Sequence, residues 1–211
     1  MEPTRTSIGA TIALLLLAGC AQHVQPEERI TQHASELLSD LQATDPGPFH
    51  AAFVAPDVDF SAYSKVLVDQ AVIHYQRTRG NYSLPSDLHE RVSRAIEASV
   101  RKTFEHAGFE AVAEEGPGVL LVRPALLELR MRVPLRSSSG VGTRVVRSAW
   151  DTVLVFQLSD TVDNAYLYWA SRRRRAPSGA QRIDSASFLR EMRDLATRET
   201  HNLLGQIARH S

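Results

Sequence analysis

Apolar residues recur every three or four positions in two stretches of the chain and every second position in others, and these two periods predict the elements. Leu88, Val92, Ile96, Val100 and Phe104, with Ala95 and Ala107 beside them, form one stripe that predicts a helix over about 86–107. Pro85 and Ser86 supply its start, and Gly108 stands where a left-handed residue would end it. Phe188, Met192, Leu195, Ala196, Leu203 and Ile207 predict a second helix over about 185–208. Residues 119 to 133 read as a long strand, with Leu127, Leu129, Met131 and Val133 on one face and Glu128, Arg130 and Arg132 on the other. Pro124 argues for an edge position or a bulge there. Residues 150–158 and 165–174 read as a hairpin turned at 159–164. The β-branched run within 64–75 reads as a first, central strand, and 109–113 as a short one. Layering these elements gives an α/β domain of α+β type: a three- to five-stranded, mostly antiparallel sheet with two long helices packed on one face.

The first 48 residues follow a different rule. Residues 8 to 17 are a short apolar run behind Arg5, followed by the small residues Ala18 and Gly19. This is the layout of a secretory signal, and the run falls short of the roughly 20 apolar residues that span a bilayer as a helix. It ends in Leu17-Ala18-Gly19-Cys20, which resembles the lipobox of bacterial lipoproteins. The resemblance implies cleavage between Gly19 and Cys20 and acyl chains, palmitate among them, on Cys20. Each buried methylene contributes about 0.8 kcal/mol, so two or more chains hold a protein firmly on a membrane. Ala21 replaces the aspartate that tends to retain enterobacterial lipoproteins in the inner membrane, which by resemblance favours the outer membrane. The expected division is a signal peptide over 1–19, a lipidated tether over 20–48 and a single periplasmic domain over 49–211. A short amphipathic helix around Leu37, Leu38 and Leu41 is expected over 27–43, before Asp45-Pro46-Gly47-Pro48 breaks the chain. Phe49, Phe53 and Phe60 are expected in an irregular stretch docked onto the domain.

Cys20 is the one cysteine, so an exported domain has no internal disulfide and folds on its apolar core. Thiol catalysis and cysteine zinc sites are excluded in the mature domain. Net charge is zero, which excludes general nucleic-acid binding, but the distribution is uneven. Residues 20–115 carry 8 basic and 15 acidic side chains, and residues 116–182 carry 11 and 4. The acidic part can neutralise the basic part, or an arginine-rich face can meet an anionic envelope partner.

No catalytic constellation emerges. His89-Glu90 opens a helical zinc motif that Ser93 fails to complete, and the eight histidines are scattered. Ser137-Ser138-Ser139-Gly140 lacks a nucleophile elbow, and Gly140-Val141-Gly142 lacks the glycine spacing of a dinucleotide site. These residues fall in a Ser/Gly-rich loop, 134–148, with Arg136, Arg144 and Arg147. No cofactor, metal or catalytic residue is expected. Arg172, Arg173, Arg174 and Arg175 end the last strand and are the candidate contact for an anion or a partner. Alternate strand residues face opposite sides, so the four form one patch only if the strand stops there. Just upstream, Tyr166 and Tyr168 share one face and Leu167 and Trp169 the other. The latter pair is expected in the core.

The block Asp59-Phe60-Ser61-Ala62-Tyr63-Ser64-Lys65-Val66-Leu67-Val68-Asp69, with Gly116-Pro117-Gly118-Val119-Leu120 later, resembles the bacterial lipoprotein family called domain of unknown function 3313. The resemblance spans about residues 45–209 and implies class and place without an activity. The expected function is a non-enzymatic, membrane-anchored domain on the outer membrane facing the periplasm, contacting envelope protein or other envelope components. The other reading is a binding module for an anionic lipid or another envelope ligand, seated between the strands and the 134–148 loop.

Overall fold

In a computed structural model, which describes residues 38–76, 81–132, 150–176 and 184–211, the alternating run at 119–131 lies inside an eight-stranded mixed sheet. In chain order the elements are β1 (Gln42–Ala43), β2 (Ala51–Val54), β3 (Lys65–Val68), β4 (Val72–Tyr75), α1 (Ser86–His106), β5 (Glu110–Ala111), β6 (Val119–Met131), β7 (Trp150–Asp160), β8 (Tyr166–Arg175) and α2 (Ser185–Ile207). Across the sheet the order is β1-β2-β8-β7-β6-β3-β5, with β4 also paired to β6. The long strands β6, β7 and β8 are antiparallel neighbours, and β3, β4 and β5 join in parallel. The fold is α+β.

The sheet is wider than the three to five strands expected, for two reasons. Part of the segment assigned to docking is β2, which pairs with β8 and carries β1 on its outer side. Residues 42–43, placed above at the end of a tether helix, are that outer strand; most of the helix assignment, with Cys20, lies outside the described residues. The run at 64–75 is two strands rather than one, and neither is the first or the centre. β3 and β4 lie end to end along β6, and the break between them faces Pro124. Asp69 N–H donates to the Val122 carbonyl at 3.0 Å. Val122 and Pro124 aim their backbone groups to the same side, since alternate strand residues do. The N–H that proline lacks therefore falls where no neighbouring strand asks for it. This places Pro124 inside a central strand, not at an edge.

The helices cover one face. Tyr82 N–H bonds the Met131 carbonyl just before α1, and Ala176 N–H bonds the Trp150 carbonyl just before α2. Trp150 is paired with Met131, so both helices start from the same end of the sheet and run side by side. Leu88, Val92, Ala95, Ile96, Val100 and Phe104 are buried on α1 as the stripe predicts, whereas Ala107 is exposed. Gly108 ends α1 at φ 98°, with Phe109 N–H returning to the Phe104 carbonyl at 3.1 Å. The α2 stripe is buried throughout, and Asp184 caps the helix by accepting from Ser187 N–H at 2.7 Å. Leu120, Val122 and Leu126 of β6 and Leu154, Phe156 and Leu158 of β7 meet both helices in one core. Each such side chain contributes on the order of 1.5–3 kcal/mol when fully buried.

Tyr168 lies under the helices, fully buried, with its ring 6.4 Å from Phe60. Its hydroxyl has no hydrogen-bond partner among the described residues, and burial pushes its pKa above the ordinary phenol value. Leu167 is buried on the opposite face, and Trp169 there packs edge-on against Phe53 at 5.8 Å. A buried, unsatisfied hydroxyl costs roughly 1–3 kcal/mol. Tyr168→Phe is therefore expected to leave urea-unfolding stability unchanged or raise it by about 1 kcal/mol. A loss beyond that would show that the hydroxyl has a partner.

Candidate functional site

The four arginines at the end of β8 divide between the two faces of the sheet. Thr152 pairs with Arg174 and Leu154 with Arg172, so these two arginines lie on the helix side. Asp151 pairs with Arg175 and Val153 with Arg173 on the open side. No single patch of four forms.

On the helix side the partner is Glu199 of α2, which is fully buried. Arg172 Nη1 donates to Glu199 Oε2 at 3.0 Å, and Asn202 Nδ2 donates to the same oxygen at 2.9 Å. Arg174 Nη2 donates to Oε1. Burial by itself would raise the pKa of this carboxyl. The Asn202 and Arg174 hydrogen bonds and the charges of Arg174 and Arg172 outweigh it and hold the group below the usual glutamate value. The ion pairs thus clamp α2 to β8.

On the open side the centre is Asp151, 2% exposed. Arg132 grips its Oδ2 with Nη2 at 2.9 Å and Nε at 3.3 Å. Arg130 and Arg173 approach Oδ1 at 3.6 and 3.7 Å. Arg173 also donates to Glu128 Oε2 at 2.8 Å. Glu128 reaches that position through a bulge: its φ is 52°, and the β6–β7 register shifts between Leu127 and Arg130. The clean alternation expected over 127–133 therefore fails. Leu127 lies opposite Val153, while Leu129 and Met131 are on the helix face. Thr152 Oγ1 donates to the Leu127 carbonyl at 2.9 Å across the bulge.

Chemically, both sites are ion clusters that join elements of the fold. Both Glu199 oxygens and Asp151 Oδ2 already accept from cationic or amide donors, and Asp151 Oδ1 faces Arg130 and Arg173 at longer range. Arg175 is exposed and makes no ion pair among the described residues, so it is the one arginine of the four left for an outside contact. Among the described residues there is no group of three metal-ligating side chains. Among the described residues, Arg123 of the basic segment reaches Asp69 of the acidic one at 3.0 Å, and the other partners of its arginines are Glu128, Asp151 and Glu199. Glu199 was missed from sequence, though it carries a signal. It stands three residues after Ala196 and four before Leu203, as a lone acid inside an apolar stripe. Asp151 has no comparable mark. Gly19, Cys20 and the 134–148 loop lie outside the described residues.

No curated protein matches the chain. Among solved structures, a PelC dodecamer from Paraburkholderia phytofirmans is 14% identical, with a TM-score of 0.40 over 79% of this chain and 95% of that one. A putative neuraminyllactose-binding hemagglutinin homolog from Helicobacter pylori is 9% identical, at 0.42 over 73% and 89%. A minor lipoprotein from Acinetobacter baumannii is 14% identical, at 0.36 over 68% and 94%. Scores this low carry no functional inference. The family match is firmer, because it covers the sequence of β1 through β6 and α1, including the Pro124 break and the Glu128 bulge. The model of the family described as a protein of unknown function (DUF3313) matches residues 32–149, more than half of the chain, and the chain belongs to that family.

Proposed function

We propose that the protein is a lipid-anchored envelope protein, held on the outer membrane and facing the periplasm by acyl chains on Cys20, whose folded domain binds rather than catalyses. One observation carries this reading: the single cysteine of the chain directly follows Leu17-Ala18-Gly19 at the end of a short apolar run. The ion-paired carboxylates of the arginine clusters support the non-catalytic half, because their charge is spent on fixing α2 to β8 and on joining β6, β7 and β8. Among the described residues no helix is long and apolar enough to cross a membrane. Attachment then rests on the acyl chains, and a domain bound this way is placed to contact other envelope components.

The test is processing in cells. Cys20→Ala, or globomycin treatment of the unaltered protein, is expected to block maturation and shift the protein out of the acylated membrane fraction. Unchanged processing and unchanged membrane partition under both treatments would overturn the anchor.

A further inference from the structure

α1 and α2 lie side by side, and the groove between them measures about 760 Å³. Its rim carries Arg91, Arg94 and Lys102 from α1 and Arg193 from α2, with His106 and His201. All six are exposed, and no carboxylate lines the groove. Positions 91, 94, 98, 102 and 106 are three or four apart, so they share one helix face. That face runs for roughly 22 Å at the helical rise. Arg94 is partnered by Glu90, but Arg91, Lys102 and Arg193 make no ion pair among the described residues. The contrast with the sheet is sharp. There, buried acids meet Arg130, Arg132, Arg172, Arg173 and Arg174; here Arg91, Lys102 and Arg193 border a concave surface whose lining has no acid.

The floor is of another kind. Ala95, Ala98 and Leu189 are apolar, and the hydroxyls of Ser99 and Thr103 are engaged by the helix backbone. Ser99 donates to the Ala95 carbonyl and Thr103 to the Ser99 carbonyl, each at 2.7 Å. A small inorganic anion would find charge but few converging donors. A molecule with an anionic head and a carbon-rich body satisfies both the cationic rim and the apolar floor.

We infer that this groove binds anionic phospholipid by its phosphate headgroup, with Arg91, Lys102 and Arg193 as the cations along the rim that attract it and the glycerol and upper acyl carbons over Ala95, Ala98 and Leu189. The inference rests on the binding, rather than catalytic, reading of the domain and does not need the anchor. The groove is separate from the lipid site expected beside the 134–148 loop, which lies outside the described residues.

The test compares partition of the full chain into vesicles of phosphatidylcholine alone and vesicles containing phosphatidylglycerol. Any acyl anchor contributes to both, so the ratio isolates the headgroup. Loss of Arg91, Lys102 and Arg193 to alanine together is expected to lower that ratio, at roughly fivefold per cation and on the order of a hundredfold in all. Arg209→Ala, which removes an exposed cation outside the groove, leaves the preference intact, and rising salt weakens it. Unfolding midpoints of both variants check that the fold survives. No phosphatidylglycerol preference in the unaltered chain, or one that persists in the triple variant, overturns the inference. Displacement by soluble glycerol 1-phosphate as effective as by vesicles also overturns it, since the ligand is then a free anion. Absent partition into phosphatidylcholine vesicles would count against the anchor instead, so the two readings fail separately.

Discussion

Glu199→Ala is expected to destabilise the protein by about 3–5 kcal/mol, read from urea unfolding. A small domain is stable by only about 5–15 kcal/mol, so this brings the variant close to unfolding at ambient temperature. The cost arises because Arg172 and Arg174 would face the helix layer without their acid, and Arg174 Nε already lacks a partner. The clamp has a pH signature. The pKa of Glu199 is lowered in the folded state, so its contribution is fully present above the unfolded carboxyl pKa. It is lost as pH falls through the lower, folded value. The gap between the unaltered protein and Glu199→Ala should therefore narrow in acid; a constant gap would show that the ion pairs do not carry it. Replacing Arg172, Arg174 and Glu199 together by apolar residues of similar volume is expected to recover most of the loss, since an ion cluster exchanged whole for packing is close to neutral.

Asp151→Ala is expected to cost about 2–3 kcal/mol, less than its counterpart on the helix face. Asp151 is as buried as Glu199, but its arginines are not. Arg130, Arg132 and Arg173 are 30%, 48% and 38% exposed, against 22% and 26% for Arg172 and Arg174. Freed from the acid, they can turn to water. The same exposure lets salt screen the open-face cluster, so the Asp151→Ala loss is expected to shrink at high ionic strength while the Glu199→Ala loss holds. Equal salt dependence of the two would show that the faces do not differ in access to solvent.

The long elements were legible because α1 and α2 keep a continuous period of 3.6, and the β7–β8 hairpin shows as two apolar runs on either side of a turn at 159–164. The short strands were not. β1 is two residues long, and β2 sits behind Asp45-Pro46-Gly47-Pro48, so neither shows an alternation. The break between β3 and β4 is hidden in an unbroken apolar run, and Pro124, its complement in β6, lies more than fifty positions away. The Glu128 bulge is silent for another reason. A glycine at positive φ announces a turn of the chain, whereas a glutamate there breaks a local rule for a distant gain, its contact with Arg173. In the candidate site the alternation of the four arginines followed from strand geometry alone, but their acids come from other elements. The groove cations were visible as residues at helical spacing; that α2 would close the second side required the tertiary arrangement.

The sheet pairs its long strands inwardly. β6 and β7 have neighbours on both sides, β8 is flanked by β2 along residues 168–171, and the outermost strands β1 and β5 are two residues each, with four-residue β4 beside β6. Unpaired strand edges template edge-to-edge association, and short edges blunt it. On the proposed acyl anchor the chain would diffuse in a plane, where copies collide far more often than in bulk solution. With so little free edge to offer, such copies can crowd without polymerising through their sheets.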